Sequence, residues 1–309
     1  MTQGGQRPGL GGAAPGAVTA GLRAGGALAG IALVVAACAC FALLDLTTKA
    51  IGSDLPLLMM LWARYLFHTL LTTAYVLHRE GRQALRTTQP RFQVLRAVLF
   101  VAMSLFALLS ILHMPLAEFT AIVATTPLCV TVVAALWLGF RVSPARWVLV
   151  AMGLAGTLAI IRPGGQAFGW ALFWPLCLLA TGTGYQVISS RMAGHESPAT
   201  TQLYTGWIAT ALVSLVLPFA WVSIHDPWLW LGMFLMGLLS ACGHMLLMQA
   251  YARTTPVTLA PFLYSQIGFA MLAGWAVYRH VPDSWSLAGI AAIVLSGAAS
   301  AWLTVRERR

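Results

Sequence analysis

The sequence predicts an all-helical membrane protein with ten transmembrane helices in two inverted five-helix repeats. Three observations carry that expectation. Only 8% of the residues are charged and 59% are hydrophobic, whereas a water-soluble domain carries about 25% charged residues. The apolar residues gather into ten stretches near the helical length of roughly 20 residues that crosses about 30 Å of hydrocarbon. Finally, the segments opening at Pro115 and Pro256 resemble each other, each following a short gap.

In chain order, residues 1–26 are rich in Gly and Ala and hold too little apolar content for a core, so they read as a disordered cytoplasmic tail. The first span, 27–51, is long for a signal-peptide core, and "ACACFALL" offers no cleavage context, so the span is retained. Spans at 56–78, 94–113, 116–139 and 145–161 complete a first half over 27–162. Spans at 168–190, 200–222, 229–251, 257–279 and 285–305 make the second half, over 168–306. Short connections make neighbouring spans antiparallel. Pro127, Pro175, Pro218 and Pro261 fall inside four spans, where each frees a backbone carbonyl that a cavity could use.

Charge sets the orientation. With the N-terminus inside, the cytoplasmic segments collect fourteen arginines, Arg7, Arg23, Arg79, Arg96, Arg141, Arg191 and Arg309 among them. The outer connections keep only Arg162 and Arg279. This asymmetry places both termini in the cytoplasm and the chain in the inner (plasma) membrane. The net charge of +10 is spread over short gaps and forms no aromatic-interleaved patch, which excludes a nucleic-acid partner. Trp221, Trp228, Trp230 and Trp285 flank outer turns, and Trp137, Trp147 and Trp302 lie toward the inner face, as an aromatic belt does. The five cysteines lie in apolar stretches with no disulfide or zinc spacing.

The offset that aligns "PLAEFTAIVATTPLCV" with "PVTLAPFLYSQIGFAM" also places Ser143 on Ser284, Leu154 on Leu295 and Gly156 on Gly297. Two copies of five spans, an odd number, must insert in opposite senses. Inverted repeats recur in transporters, with the substrate site between the halves. In residues 262–302, Tyr264, Gln266, Gly274, Trp275, Pro282, Asp283, Leu287, Gly289 and Gly297 resemble the end of an EamA domain of the drug/metabolite transporter superfamily. Arg64 in "LWARYLF", Pro115, Pro127 and "VAMGLAGTLAI" fall where a first EamA domain has its markers. The resemblance covers residues 27–305 and implies alternating access, with the spans at 145–161 and 285–305 peripheral. The family's corner glutamate is absent from both halves, which read "LGFRV" around Phe140 and "YRHVP" around His280. Within the superfamily, D-x-x-x-K in the first span followed by an arginine in the second resembles members that import vitamins or S-adenosylmethionine.

The intramembrane polar residues are the candidate substrate contacts. Asp45 and Arg64 stand at matching depth, roughly 14 Å along their helices from the turn near Asp54, and are expected to pair. Asp45, Thr48, Lys49 and Gly52 form one stripe, and Arg64, His68, Thr72 and Tyr75 form another. A charge at such depth costs about 2.5–3.5 kcal/mol unless partnered. Three roles stay open for the Asp45–Arg64 pair: structural bridge, cavity lining, or proton coupling. Lys49 is close enough to the outer interface to snorkel. Glu118 either suits its helix dipole, attracts a cationic substrate or competes with Asp45 for Arg64.

His244, Tyr264 and Gln266 are the second-half candidates, and of the last two only one can reach a central site, Tyr264 by preference. Tyr185, Gln186, Tyr204 and Gln249 are expected to face the bundle interior as well. Met233, Met236, Met245 and Met248 read as packing or an adaptable apolar wall. No metal or other cofactor and no catalytic set is expected. Ser240 and His244 sit one turn apart but lack an oriented acid, and a haem reading of His68 and His244 lacks further ligands. The competing readings are an intramembrane lipid-modifying enzyme, which needs a clustered nucleophile or metal set, and a structural or signalling subunit.

Overall fold

The computed structural model describes residues 24–136, 143–161, 173–192, 195–253, 259 and 262–307. Arg7, Arg23, Trp137, Phe140, Arg141, Arg162, Pro256, Pro261, Arg308 and Arg309 lie outside the described residues, as does most of the expected tail. Among the described residues all regular structure is helical. The helices are α1 (Ala24–Ile51), α2 (Leu57–Glu80), α3 (Pro90–His113), α4 (Leu116–Val123), α5 (Thr126–Leu136) and α6 (Pro144–Ile161). They continue with α7 (Phe173–Met192), α8 (Pro198–Val216), α9 (Pro227–Arg253), α10 (Ser265–Tyr278) and α11 (Ser284–Glu307). Short 3₁₀ turns follow α2 and α8.

Four stretches, Leu28–Ile51, Pro90–His113, Pro198–Phe219 and Pro227–Arg253, are long and apolar enough to cross a membrane by length and composition. The α2 helix is as long as α3, but Arg64, His68 and its threonines dilute its apolar content. The expected fourth span is two helices, because the chain turns at Ala124–Thr125. The Thr125 and Thr126 hydroxyls donate to the Ile122 and Val123 carbonyls at 2.6 Å each, satisfying the end of α4. Pro127 then opens α5, where its missing N–H is harmless. Of the other prolines, Pro175 sits in the first turn of α7 and Pro218 in the 3₁₀ turn after α8, so neither interrupts a helix.

The most extensive packing joins helices far apart in sequence. α1 lies along α9, and α3 along α7; α2 also packs on α9, and α3 on α8. α1 touches α10, while α7 touches α4 and α5; α2–α8, α4–α10 and α6–α11 complete the bundle. Glycine permits the tightest of these. A Cβ at Gly156 would stand 2.7 Å from the Gly289 carbonyl oxygen, and one at Gly289 would stand 2.5 Å from that of Gly156, so α6 and α11 meet backbone to backbone. Tyr65, Met59, Met60, Met233 and Met236 fill the interior between α2 and α9, which makes the first two α9 methionines packing residues. Trp221, Trp228, Trp285 and Trp302 are exposed on the bundle's outer surface. All five cysteines are free.

Candidate functional site

Helical periodicity puts Arg64, His68 and Thr72 on one face of α2, and that face turns inward. Arg64 Nε, His68 Nδ1 and Thr72 Oγ1 are each enclosed, and none has a hydrogen-bond partner among the described residues. His68 Nε2 lies 3.1 Å from the Gln202 side-chain nitrogen of α8. With the amide donating, Nε2 is the acceptor and the imidazole proton sits on Nδ1. The result is a row of three unanswered polar groups over about 12 Å of helix. Each such group costs about 1–3 kcal/mol if nothing answers it.

Beside the row stands an aromatic wall. His68 and His244 meet edge to face with ring centroids 5.3 Å apart, and Phe41 abuts His244 at 5.0 Å. Phe100 joins them, 5.5 Å from Tyr65, 5.5 Å from Tyr185 and 6.5 Å from His244. His244 Nδ1 lies 2.8 Å from the Ser240 carbonyl oxygen, so the imidazole engages the backbone and not the serine hydroxyl. That geometry gives a hydrolase dyad no support.

Arg96 departs most from its sequence reading as an interfacial charge. It is buried, because α3 starts at Pro90 and places it nearly two turns inside the helix. Its Nε donates to Ser189 Oγ at 2.7 Å and its Nη1 to the Thr201 carbonyl at 3.0 Å. Further bonds reach Thr205 Oγ1 and Tyr185 Oη, and the guanidinium lies over the Tyr185 ring, 4.5 Å from its centroid. All of these partners are neutral. One turn earlier, Gln93 is fully buried with both amide atoms unpartnered among the described residues.

The expected Asp45–Arg64 ion pair is not made. Among the described residues no salt bridge joins them, although Arg64 lies within electrostatic reach of Asp45, His68 and His244. Instead Gln266 Nε2 donates to Asp45 Oδ2 at 3.4 Å across α10 and α1. As the two-position spacing requires, Tyr264 points elsewhere. Its hydroxyl occupies the site where Gly297 would carry a Cβ, and its ring packs among Ile122, Ile290 and Ile293. Gln266 therefore takes the central place expected of Tyr264. Matched depth fixes height but not azimuth, so Asp45 and Arg64 face one space without touching.

One turn past Asp45, Lys49 does not snorkel. Its ammonium donates to the Ile111 carbonyl at 3.0 Å and the Met114 carbonyl at 2.5 Å, capping the C-terminus of α3. Glu118 turns neither to Arg64 nor to solvent: Oε1 lies 3.1 Å from His280 Nε2, joining α4 to the corner after α10. Its Oε2 has no partner among the described residues. His280 stands where the family pattern has its corner acid, so an inverted arrangement, acid on α4 and base at the corner, holds this end. Tyr185 faces inward as expected, while Tyr204 is half-buried and donates to the Leu85 carbonyl at 2.9 Å, in the turn after α2. Gln186 is exposed, since its neighbour Tyr185 takes the inward direction. Gln249 is half-buried and accepts from Arg253 one turn on.

Arg64, His68 and His244 thus share one space with Asp45 and Gln266 at its edge; Lys49 and Glu118 form a separate cluster, and Tyr264 belongs to neither. Sequence reasoning missed Arg96, Gln93 and Gln202. Only an earlier start for α3, signalled by Pro90 at its first position, would have moved Arg96 inward.

The chain resembles known proteins along nearly its whole length. Residues 28–162 and 169–301 each match the EamA-like transporter family. The "Riboflavin transporter" of Vibrio cholerae is 30% identical over 232 residues, covering 74% of this chain and 77% of that protein. The "S-adenosylmethionine uptake transporter" of Rickettsia bellii is 23% identical over 258 residues, covering 81% of this chain and 85% of its own. A solved crystal structure superposes with a TM-score of 0.66 at 18% identity, over 93% of this chain and 100% of that chain, which shows a shared fold. The chain is a multi-pass membrane protein that belongs to the EamA-like transporter family of the drug/metabolite transporter superfamily.

Proposed function

We propose that this protein is a secondary transporter of flat, hydrogen-bond-rich heteroaromatic metabolites, with riboflavin the leading candidate. The observation that carries this reading is the row of unpaired Arg64 Nε, His68 Nδ1 and Thr72 Oγ1 alongside the Phe41, Phe100, His68 and His244 rings. An isoalloxazine ring offers π faces for such walls and carbonyl acceptors for the two N–H groups, and a ribityl chain suits a hydroxyl further along. The likeness to a riboflavin transporter supports the same assignment. Metabolites with a cationic centre are the second reading, favoured by the acids Asp45 and Glu118 and by the S-adenosylmethionine relative.

The cycle is alternating access between two inverted halves, 27–162 and 168–306, each of five spans. The paired packing supports it: exchanging each helix for its counterpart turns α1–α9 into α7–α3 and α2–α9 into α8–α3. So do two helix breaks, at Ala124–Thr125 and at Tyr264, which fall within two residues of each other under the offset that aligns Pro115 with Pro256. The arginine asymmetry supports cytoplasmic termini in an inner membrane, and the removal of Arg96 from that count leaves the bias intact. Asp45 and Glu118 are the acids a coupled proton would use.

Proteoliposomes holding the purified chain should accumulate labelled riboflavin saturably, with excess unlabelled riboflavin competing and S-adenosylmethionine not. Uptake of S-adenosylmethionine alone would move the assignment to the second reading. Accumulation of neither above empty liposomes would reject both, and an imposed pH gradient that leaves the rate unchanged would remove the proton.

A further inference from the structure

A cavity of about 800 Å³, lined by none of the central-row residues, lies between α3, α5, α6 and α7. Its long wall is one stripe of α7: Leu179, Thr183, Val187 and Arg191, at four-residue spacing. Leu95 and Leu99 of α3, Val132 and Val133 of α5, and Leu154 of α6 close the other sides. The stripe runs about 18 Å from the middle of α7 to its last turn. One leaflet of hydrocarbon is about 15 Å deep. The cavity therefore has the length of a single acyl chain.

Its chemistry is lopsided in the same direction. The Thr183 hydroxyl is spent on the Leu179 carbonyl at 2.6 Å, so the wall offers that donor to nothing else. The one cation among the described lining residues, Arg191, stands exposed at the end of α7, at the same end of the bundle as Arg79, Arg82, Arg86 and Arg91. Water-soluble metabolites need polar contacts along their length, which this groove withholds. A hydrocarbon chain needs none, and a phosphate at its head would meet the guanidinium where a headgroup lies.

We infer that this groove is a binding site for one anionic phospholipid, its acyl chain laid along the Leu179–Val187 stripe and its phosphate on Arg191. The site rests on the bundle being embedded in a bilayer and not on the identity of the transported solute. A lipid there would brace α3 and α7, the helices that Arg96 ties together, from the side opposite the central row.

The test uses the purified full-length chain, delipidated and then exposed to vesicles of phosphatidylglycerol or of phosphatidylcholine, with retained lipid counted by native mass spectrometry. The wild type should retain one phosphatidylglycerol per chain and little phosphatidylcholine. Arg191→Gln should weaken phosphatidylglycerol retention about fivefold, the effect of one basic residue at a headgroup surface. Ala180→Phe, placed on an exposed lining position, should fill the groove and abolish retention while the thermal unfolding profile stays wild-type. Equal retention of the two lipids, or retention unchanged in both variants, would overturn the site. Loss of riboflavin uptake with lipid binding intact would count against the transport reading alone.

Discussion

Two arginines inside this bundle, Arg96 on α3 and Arg64 on α2, meet opposite fates. The Arg96 guanidinium is held by Ser189, Thr201, Thr205 and Tyr185, all on second-half helices. Arg64 keeps an enclosed Nε with no partner among the described residues, in line with two further unanswered groups on the same face. A buried cation with its hydrogen bonds complete stabilises the arrangement around it, and removal of either side strands polar atoms. A buried cation with a free donor is destabilising as it stands, and it persists where a ligand completes it. The first arginine is part of the scaffold, and the second is left free for the proposed substrate.

Substitutions separate the two roles. The largest effect is expected of Arg96→Ala, which removes four hydrogen bonds and leaves the Tyr185 hydroxyl without its partner, and should cost about 3–4 kcal/mol in thermal unfolding of the detergent-solubilised protein. A loss under about 1 kcal/mol would show that the network holds little. Arg64→Gln should do the reverse: kcat/KM for riboflavin uptake falls about a hundredfold, while unfolding is unchanged or slightly improved. Equal destabilisation by both variants would erase the distinction.

Smaller effects sharpen it. Glu196, in the connection between α7 and α8, offers one oxygen to the Thr87 and Thr88 hydroxyls and the Thr88 and Gln89 amides, at 2.5–3.0 Å. Burial raises its pKa, but these bonds outweigh it and hold the carboxyl below its ordinary 4.5. The stabilisation is then complete above that value and is lost as pH falls through the depressed native value. Glu196→Gln should lower stability by about 1–2 kcal/mol at pH 7, and the gap from wild type should close on acidification. A gap that widens in acid would reverse the sign. Smallest of all, the Asp45→Asn and Arg64→Gln double-mutant cycle should show a coupling below about 1 kcal/mol, as expected of charges that share a space without contact. A coupling of about 3 kcal/mol would mean the pair forms after all.

Much of this molecule was readable from its sequence, and the misses have identifiable causes. The inward row on α2 follows from a four-residue spacing on an unbroken helix, so Arg64, His68 and Thr72 came out together. Tyr264 and Gln266 were assigned in the wrong order because the helix is interrupted at Tyr264, and a break resets the angular phase that periodicity counts on. Arg96 was misplaced by four residues of helix start, enough to move a side chain from the interface into the bundle. Lys49 and Glu118 were read at the right end, but their partners, Met114 and His280, come from a helix end and a corner that no spacing rule connects to them. Single-helix geometry was legible. Contacts across the halves were not.

The Glu196 carboxylate has a mechanical consequence. Its four donors are neutral and sit on three successive residues at the head of α3, so their pull falls off more steeply with separation than that of an ion pair and is less screened by salt. Such a contact is a catch and not a spring. It does not draw the two halves together from a distance, and it yields all at once when they part. In the proposed alternating-access cycle, this contact would favour a shut or a fully released end over a half-open one.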